Sequence, residues 1–229
     1  MKIYGFIHIY TVNNWQEIIE EQFLKMNKSG LLDKTERIFV GINGGDGQWI
    51  NSLDDKVKVL YQFHKPELEQ SLTLSWLRFF AAVERDAKIF YIHTKGVTHI
   101  NSIPQTDWRH MMEYFVLTKY EVCLQELEKS DIVGTNWHLG RGYMGAHSKK
   151  AGGIEVTPHF SGNFWWSNTK YLRTLPPLFP LISKYSCEFW IGKGRPKVSE
   201  LWHSGIHHHR NPYPESNYMG VNFDCNYYR

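Results

Sequence analysis

Cysteine is scarce in this chain. Cys123, Cys187 and Cys225 are the only three in 229 residues; they lie far apart, and none shows C-x-x-C spacing, which excludes a disulfide framework and a zinc knuckle. A reducing compartment, the cytoplasm, is the expected location. An excess of one charge is also missing: the formal net charge is +3 and no long Lys/Arg block occurs, so no nucleic-acid partner is expected, while a compact anion site remains compatible. No apolar run approaches transmembrane length. The stretch from Lys2 to Val12 is too short to span a bilayer and has no small-residue cleavage site, so no membrane span is expected. The glycine cluster Asn43-Gly44-Gly45-Asp46-Gly47 is not G-x-G-x-x-G followed by a helix, so it is no dinucleotide fingerprint. There is no internal repeat, and nothing speaks to the oligomeric state.

What is present is an ordinary globular balance, 42% hydrophobic and 21% charged residues, enough to bury a core. The aromatic share of 15%, with nine Trp and thirteen Tyr, fits either stacking surfaces for sugars or bases, or a core filled with large rings.

The periodicity reads as alternating strands and helices. Ile3 to Tyr10 is a buried strand, and Asn14 with Glu17 caps a helix whose inner face is Trp15, Ile18, Ile19, Phe23 and Met26. Strands follow at Arg37–Ile42 and Val57–Phe63. Leu68, Leu72, Trp76, Phe79, Phe80 and Val83 recur at helical spacing and lead to a fourth strand, Lys88 to Ile92. Asp107 is positioned to cap a long helix carrying Met112, Val116, Cys123 and Leu127 inward. A short strand covers Asp131 to Gly134. The segment Thr135 to Pro158, with five glycines, lacks periodicity and is long for a plain connection. His159 to Trp166 returns to strand character, Asn168 caps a short helix, and a last helix is expected over Leu181 to Ile191. The tail after Gly194 is expected to be irregular. This order implies a single α/β domain over 1–229 with a mostly parallel sheet: a nucleotide-binding half, 1–134, and a less regular acceptor-side half, 135–229.

The chemistry concentrates at Phe90-Tyr91-Ile92-His93-Thr94-Lys95-Gly96, where an apolar strand stops at His93, Lys95 and a glycine that lets backbone approach a ligand. In open α/β sheets ligands collect at such carboxyl ends. The plain alternative is a strand running into a solvated basic turn.

The strand and helix order, His93-Thr94-Lys95-Gly96 followed by Asp107-Trp108-Arg109, and then His159-Phe160-Ser161-Gly162-Asn163-Phe164-Trp165-Trp166 resemble GT-A glycosyltransferases, in particular a group from bacteria and large DNA viruses. The resemblance covers roughly Tyr4 to Trp190. It implies a GT-A-like (Rossmann-like) fold, a nucleotide diphosphate-sugar donor and a glycan acceptor. It also implies that Thr11, Val12 and Asn13, and likewise Asn43 and Gly44, receive the nucleotide at the first two strand ends; a simple βα turn is the other reading of Thr11 to Asn13. One departure stands out: His93-Thr94-Lys95 occupies the place of the family's Asp-x-Asp, which holds a divalent cation. A leaving diphosphate still needs positive charge. Lys95, Arg109 or protonated His93 can supply it, so Mn or Mg is compatible but not through that motif; Asp107 is expected to contact substrate or to recruit such an ion.

Asn163 with one of the adjacent Trp165 and Trp166 would hold sugar, since neighbours on a strand face opposite sides. Glu188, in an otherwise apolar stretch, suits a base that deprotonates the acceptor; a surface carboxylate is the other reading. Asp54-Asp55 reads as a turn. His203 and His207-His208-His209 read as mostly solvated, since three consecutive His cannot all face one ion. Two rivals remain: a non-catalytic carbohydrate- or nucleotide-binding module of degenerate transferase fold, and a metal-dependent hydrolase built on those C-terminal histidines.

Overall fold

The structure is a computed structural model that describes residues 1–45, 47–140, 150–151, 154–179, 183 and 185–229. The first apolar run is β1 (Lys2–Thr11). It is covered on both faces: Ile3, Ile7 and Ile9 enter one core and Phe6 the other, as a near-continuous apolar strand requires. α1 (Trp15–Ser29) buries the five side chains that the spacing predicts, although Asn14 at its N-cap makes no side-chain cap bond. α2 (Leu31–Lys34), β2 (Arg37–Gly44) and β3 (Val57–Phe63) follow.

α3 (Ser71–Val83) differs from expectation. It buries Leu74, Leu77 and Ala81 against the sheet, while Trp76, Phe79 and Val83 are exposed, Phe79 at 61% and Val83 at 70%. Two apolar stripes compete on this helix, and the one accompanied by the small buried Ser71 and Thr73 faces inward. β4 (Ala87–His93) comes next. α4 (Ile103–Glu113) begins with Pro104 in its first turn, where the fixed φ of proline suits a helix start. Asp107 is therefore inside the helix and caps nothing. A π-helical turn at Tyr114–Thr118 then separates α4 from α5 (Tyr120–Glu126).

β5 (Ile132–Thr135), β6 (Trp137–His138), β7 (Lys150–Ala151), β8 (Ile154–Glu155) and β9 (His159–Phe160) are short. β10 (Trp165–Asn168) leads into α6 (Thr169–Leu172), whose N-cap Asn168 accepts the Tyr171 amide as the sequence suggests. The expected strand over 159–166 is thus split by a turn in which Gly162 and Asn163 take φ of 91° and 59°. Of the expected last helix, 181, 182 and 184 lie outside the described residues; α7 (Ser186–Phe189) is its helical part. The tail is not irregular throughout, because it contributes β11 (Val198–Trp202) and β12 (Asn226–Tyr228).

The eight-stranded sheet has the order β12-β11-β5-β10-β4-β1-β2-β3. β10 and β12 run against the other six. This is a mostly parallel α/β sheet, with α1, α2, α4 and α5 on one face and α3 and α6 on the other. The order turns back between β1 and β4, which creates a crevice at their carboxyl ends. Strands from beyond residue 134 pair with β4 and β5, so one sheet joins both halves. Among the described residues no helix is long and apolar enough to cross a membrane.

Candidate functional site

A cavity of about 210 Å³ occupies that crevice, lined by His8 and Tyr10 from β1, Asn43 from β2 and His93 to His99 from β4 and its loop, with Gln70 across from them. The β1/β4 register sets His8 beside His93, and both face the α3 side. His8 is buried with Nδ1 2.9 Å from Thr73 Oγ1, and burial pushes its pKa down to about 3. The hydroxyl of Thr94 accepts the Tyr10 amide at 3.0 Å, which ties the two strand ends together.

His93 does not supply positive charge. Burial, aided by the neighbouring Lys95, drives its pKa to about 3, so it is neutral at pH 7. Its Nε2 hydrogen donates to the Gly162 carbonyl at 3.0 Å, and Nδ1 therefore keeps the lone pair. The other basic side chain at this strand end is Lys95. Its ammonium sits 3.9 Å above the Trp108 ring, and among the described residues it forms no salt bridge. Burial lowers its pKa while the Glu188 carboxylate opposes that shift. Gly96 follows at φ 85°, a left-handed geometry that an L side chain adopts only with strain, and its bare backbone lines the cavity.

Thr11, Val12 and Asn13 lie just past Tyr10. Thr11 Oγ1 accepts the Gly45 amide at 2.6 Å, a Cβ on Gly44 would collide with that hydroxyl, and Asn13 donates to the Val97 carbonyl at 2.8 Å. Thr11, Val12, Asn13 and Gly44 are not among the cavity's lining residues; they adjoin Tyr10, Asn43 and Val97, which are. Asn43 lines the cavity, but both ends of its amide are engaged by the Lys65 backbone at 2.9 Å. Glu188 accepts the Gly162 amide at 3.1 Å and lies 3.9 Å from His159 Nε2; it is not among the residues that line either cavity.

Other expected residues have different work. Asn163 donates to Gln70 at 2.8 Å and accepts the Trp165 indole at 2.8 Å, so its amide holds core groups and not sugar. Trp165 and Trp166 point to opposite faces as predicted, but both are 0% exposed: Trp165 stacks on Tyr91, and Trp166 packs on Phe90 and donates to the Val116 carbonyl. Neither indole offers a face to a ligand. Asp107 accepts the Tyr213 amide at 2.8 Å and anchors the tail. Arg109 is buried in an ion-pair network with Glu21 at 2.6 Å and Glu113 at 3.1 Å, which Lys25 also joins. Neither cavity includes Asp107 or Arg109.

Glu21, His110 and Glu113 bring ligand atoms within 4.8 Å of one another. Two cations, Lys25 and Arg109, already neutralise these carboxylates, so the cluster is complete as an ion-pair network. At the strand end itself the Lys95 ammonium would repel a divalent ion, and the residues there do not fit a metal clamp.

Sequence reasoning missed His8, Gln70 and Thr94 in the cavity. A signal existed for His8, a polar residue inside an apolar strand. It also missed a second cleft of about 840 Å³ lined by Trp108, Asn136, Trp137, His138, Ser161 and residues 203–210, assembled from α4, β6, the turn after β9 and the tail. Trp108 borders this cleft and carries Lys95 on its ring, which makes the two spaces neighbours.

A family model described as Domain of unknown function (DUF8361) matches residues 6–146. The chain belongs to this family. The match takes in the second half of β1 and β2 to β6, and so the strand ends and loop that build the smaller cavity. No curated protein matches the chain. Among solved structures, HddC from Yersinia pseudotuberculosis is similar at 12% identity and a TM-score of 0.46, over 89% of this chain and 91% of that one. TarS 1–349 from S. aureus is similar at 12% identity and a TM-score of 0.41, over 84% and 56%. A 4-diphosphocytidyl-2C-methyl-D-erythritol synthase is similar at 10% identity and a TM-score of 0.41, over 95% of both chains. Identities this low establish no shared activity.

Proposed function

We propose that this protein transfers a sugar from a nucleotide diphosphate-sugar donor to a glycan acceptor, with Lys95 as the cation that meets the diphosphate. The observation that carries this reading is the Lys95 amine, without a salt-bridge partner among the described residues, at the carboxyl end of β4, beside the point where the strand order turns back. An anion there would gain a charge-assisted bond that no carboxylate of the described residues takes. The Gly96 backbone and the neutral His93 Nδ1 would contact the donor's polar groups, and Thr11 to Asn13 with Gly44 would frame the nucleoside beside the cavity. The Glu188 carboxylate opposes the lowering of the Lys95 pKa by burial. The large cleft beyond Trp108 has room for the acceptor.

Bond cleavage puts negative charge on the departing diphosphate, and a fixed cation in a partly dry site stabilises it as it forms. No step requires a metal held by the strand end, and such a metal would have to share the space with Lys95.

The test is a thermal-shift screen with UDP, GDP, CDP, ADP and TDP and their common sugar conjugates, in Mg²⁺, in Mn²⁺ and in chelator. Ligand at about a hundred times its dissociation constant adds about 2.7 kcal/mol. One nucleotide family should raise Tm, the shift should survive chelator, and Lys95→Met should abolish it while remaining folded. No shift with any nucleotide would refute the proposal. The second reading, a binding module without turnover, draws on the fact that among the described residues Glu69 is the only acidic one lining the smaller cavity; it predicts the same thermal shift with no release of product.

A further inference from the structure

β11 runs parallel to β5, which runs in the same direction as β4 through the antiparallel β10 between them. Its carboxyl end therefore emerges on the same edge of the sheet as Lys95. That end carries Glu200-Leu201-Trp202-His203, in the tail that reads as irregular from sequence.

Glu200 is 0% exposed, and donors surround both of its oxygens. Oε1 accepts the Trp137 amide at 2.5 Å and His203 Nδ1 at 2.8 Å. Oε2 accepts the Tyr228 hydroxyl at 2.8 Å and Asn226 Nδ2 at 3.1 Å. Among the described residues, His203 is the one partner of this buried carboxylate that can itself take up a proton, the other three donors being neutral. The imidazole lies differently: its side chain is 52% exposed and lines the 840 Å³ cleft. Because the carboxylate accepts from Nδ1, the hydrogen of the neutral ring sits on Nδ1 and the lone pair on Nε2. Among the described residues nothing hydrogen-bonds Nε2. A buried carboxylate thus fixes both tautomer and orientation of an accessible imidazole, in a cleft that shares Trp108 with the Lys95 cavity.

We infer that His203 is the general base of the transfer, its Nε2 accepting the proton of the acceptor hydroxyl while Glu200 positions the ring and stabilises the imidazolium that forms. This rests on the donor reading above. In the step, the acceptor oxygen forms its bond to the anomeric carbon and gives its proton to Nε2. The bond from that carbon to the diphosphate oxygen breaks, and its electron pair leaves with the nucleotide diphosphate toward Lys95. The inference moves the base from Glu188, whose carboxylate is turned to the Gly162 amide and His159, to a residue across Trp108. The ionisable groups facing His203 are Glu200 from β11, His138 from β6 and His208 from the tail. Burial depresses both of those imidazoles, so they stay neutral around pH 7.

The experiment measures release of nucleoside diphosphate from a panel of UDP-, GDP-, CDP-, ADP- and TDP-sugars, with water or added oligosaccharide as acceptor, in wild type and His203→Gln. The thermal shift with each nucleotide diphosphate is recorded in parallel. His203→Gln alters a half-exposed side chain and should fold. Expected are an unchanged thermal shift, kcat lower by about 10²- to 10⁴-fold with donor KM little changed, and loss of the acidic limb of the pH–rate profile. Glu200→Asp should recover part of the rate with a displaced acidic limb, whereas a purely structural Glu200 would alter Tm and leave that limb in place. Full turnover in His203→Gln with an intact acidic limb would overturn the base assignment alone. Absence of any nucleotide-induced shift in wild type would overturn the donor reading and this inference together.

Discussion

Arg109 separates what a residue type suggests from what its surroundings make of it. In sequence it sits beside Asp107 and Trp108 and is as good a phosphate ligand as Lys95; in the fold its guanidinium binds Glu21 and Glu113. Burial opposes the charge on Glu21, but its bonds to His110, Arg109 and Lys25 outweigh that and hold its pKa well below the ordinary carboxylate range. Arg109→Leu leaves Glu113, at 0% exposure, with Lys25 and Gln22, and breaking one side of a buried ionic network costs about 3–5 kcal/mol. The expected result is a fall in Tm of roughly ten degrees for a chain of this size, with nucleotide binding per folded molecule unchanged. Lys95→Met should show the reverse, a small change in Tm and lost binding. If Arg109→Leu abolished binding without lowering Tm, the assignment of the two cations would be inverted. Lys95 was legible because an abrupt polar stop after an apolar strand marks a strand end, and strand ends are where ligands lie. Arg109 was not legible, because its partner Glu21 lies 88 positions away in sequence.

Elements make the same point in α3 and β11. α3 carries two apolar stripes, and periodicity alone cannot say which of them meets the sheet. The exposed stripe of Trp76 and Phe79, which edge against each other at 6.0 Å, predicts a surface whose removal is harmless to the fold. Phe79→Glu should change stability by no more than about 0.5 kcal/mol, as is usual at exposed positions, measured by urea denaturation. The corresponding loss for Leu77→Ala, on the buried stripe, should reach about 2–5 kcal/mol. A large effect at Phe79 would mean that the stripe is covered. β11 went unread because Glu and Ser are poor strand formers, and Val-Ser-Glu-Leu-Trp lacks a clean apolar pattern. It is a strand because β5 and β12 offer hydrogen bonds on both sides and because four donors satisfy Glu200.

For the whole molecule, the imidazoles with depressed pKa values, His8 and His208 buried and His93 half-buried, set an acid limit. His8 and His93 are held neutral, with pKa values near 3 against about 6.5 in an unfolded chain, and His208 is lowered to about 4 by burial and by neighbouring cationic groups. A depressed folded pKa means that the unfolded chain takes up the proton first as pH falls. Their contribution is therefore complete above about pH 6.5 and is lost as the pH drops toward 3–4, at up to about 1.4 kcal/mol per pH unit for each group. Urea midpoints measured from pH 7.5 to 4.5 should decline steeply below about 6.5, and His8→Asn should reduce that slope by the share of one group. A flat profile from pH 7 to 5 would show that these rings are hydrated.

Sequence alone determined the alternation of strands and helices through β4, the strand end at which Lys95 and Gly96 stand, and the opposite facing of Trp165 and Trp166. Those features follow from local periodicity and from the residue types themselves, which act over a few positions. Tertiary structure decided that both indoles are core, that His93 is neutral, that Arg109 serves a carboxylate network, and that Glu200 meets His203 beside the cleft. Each depends on burial or on partners brought in from distant elements, and the free energy of a charge or an aromatic face is set by those neighbours and not by its place in the chain.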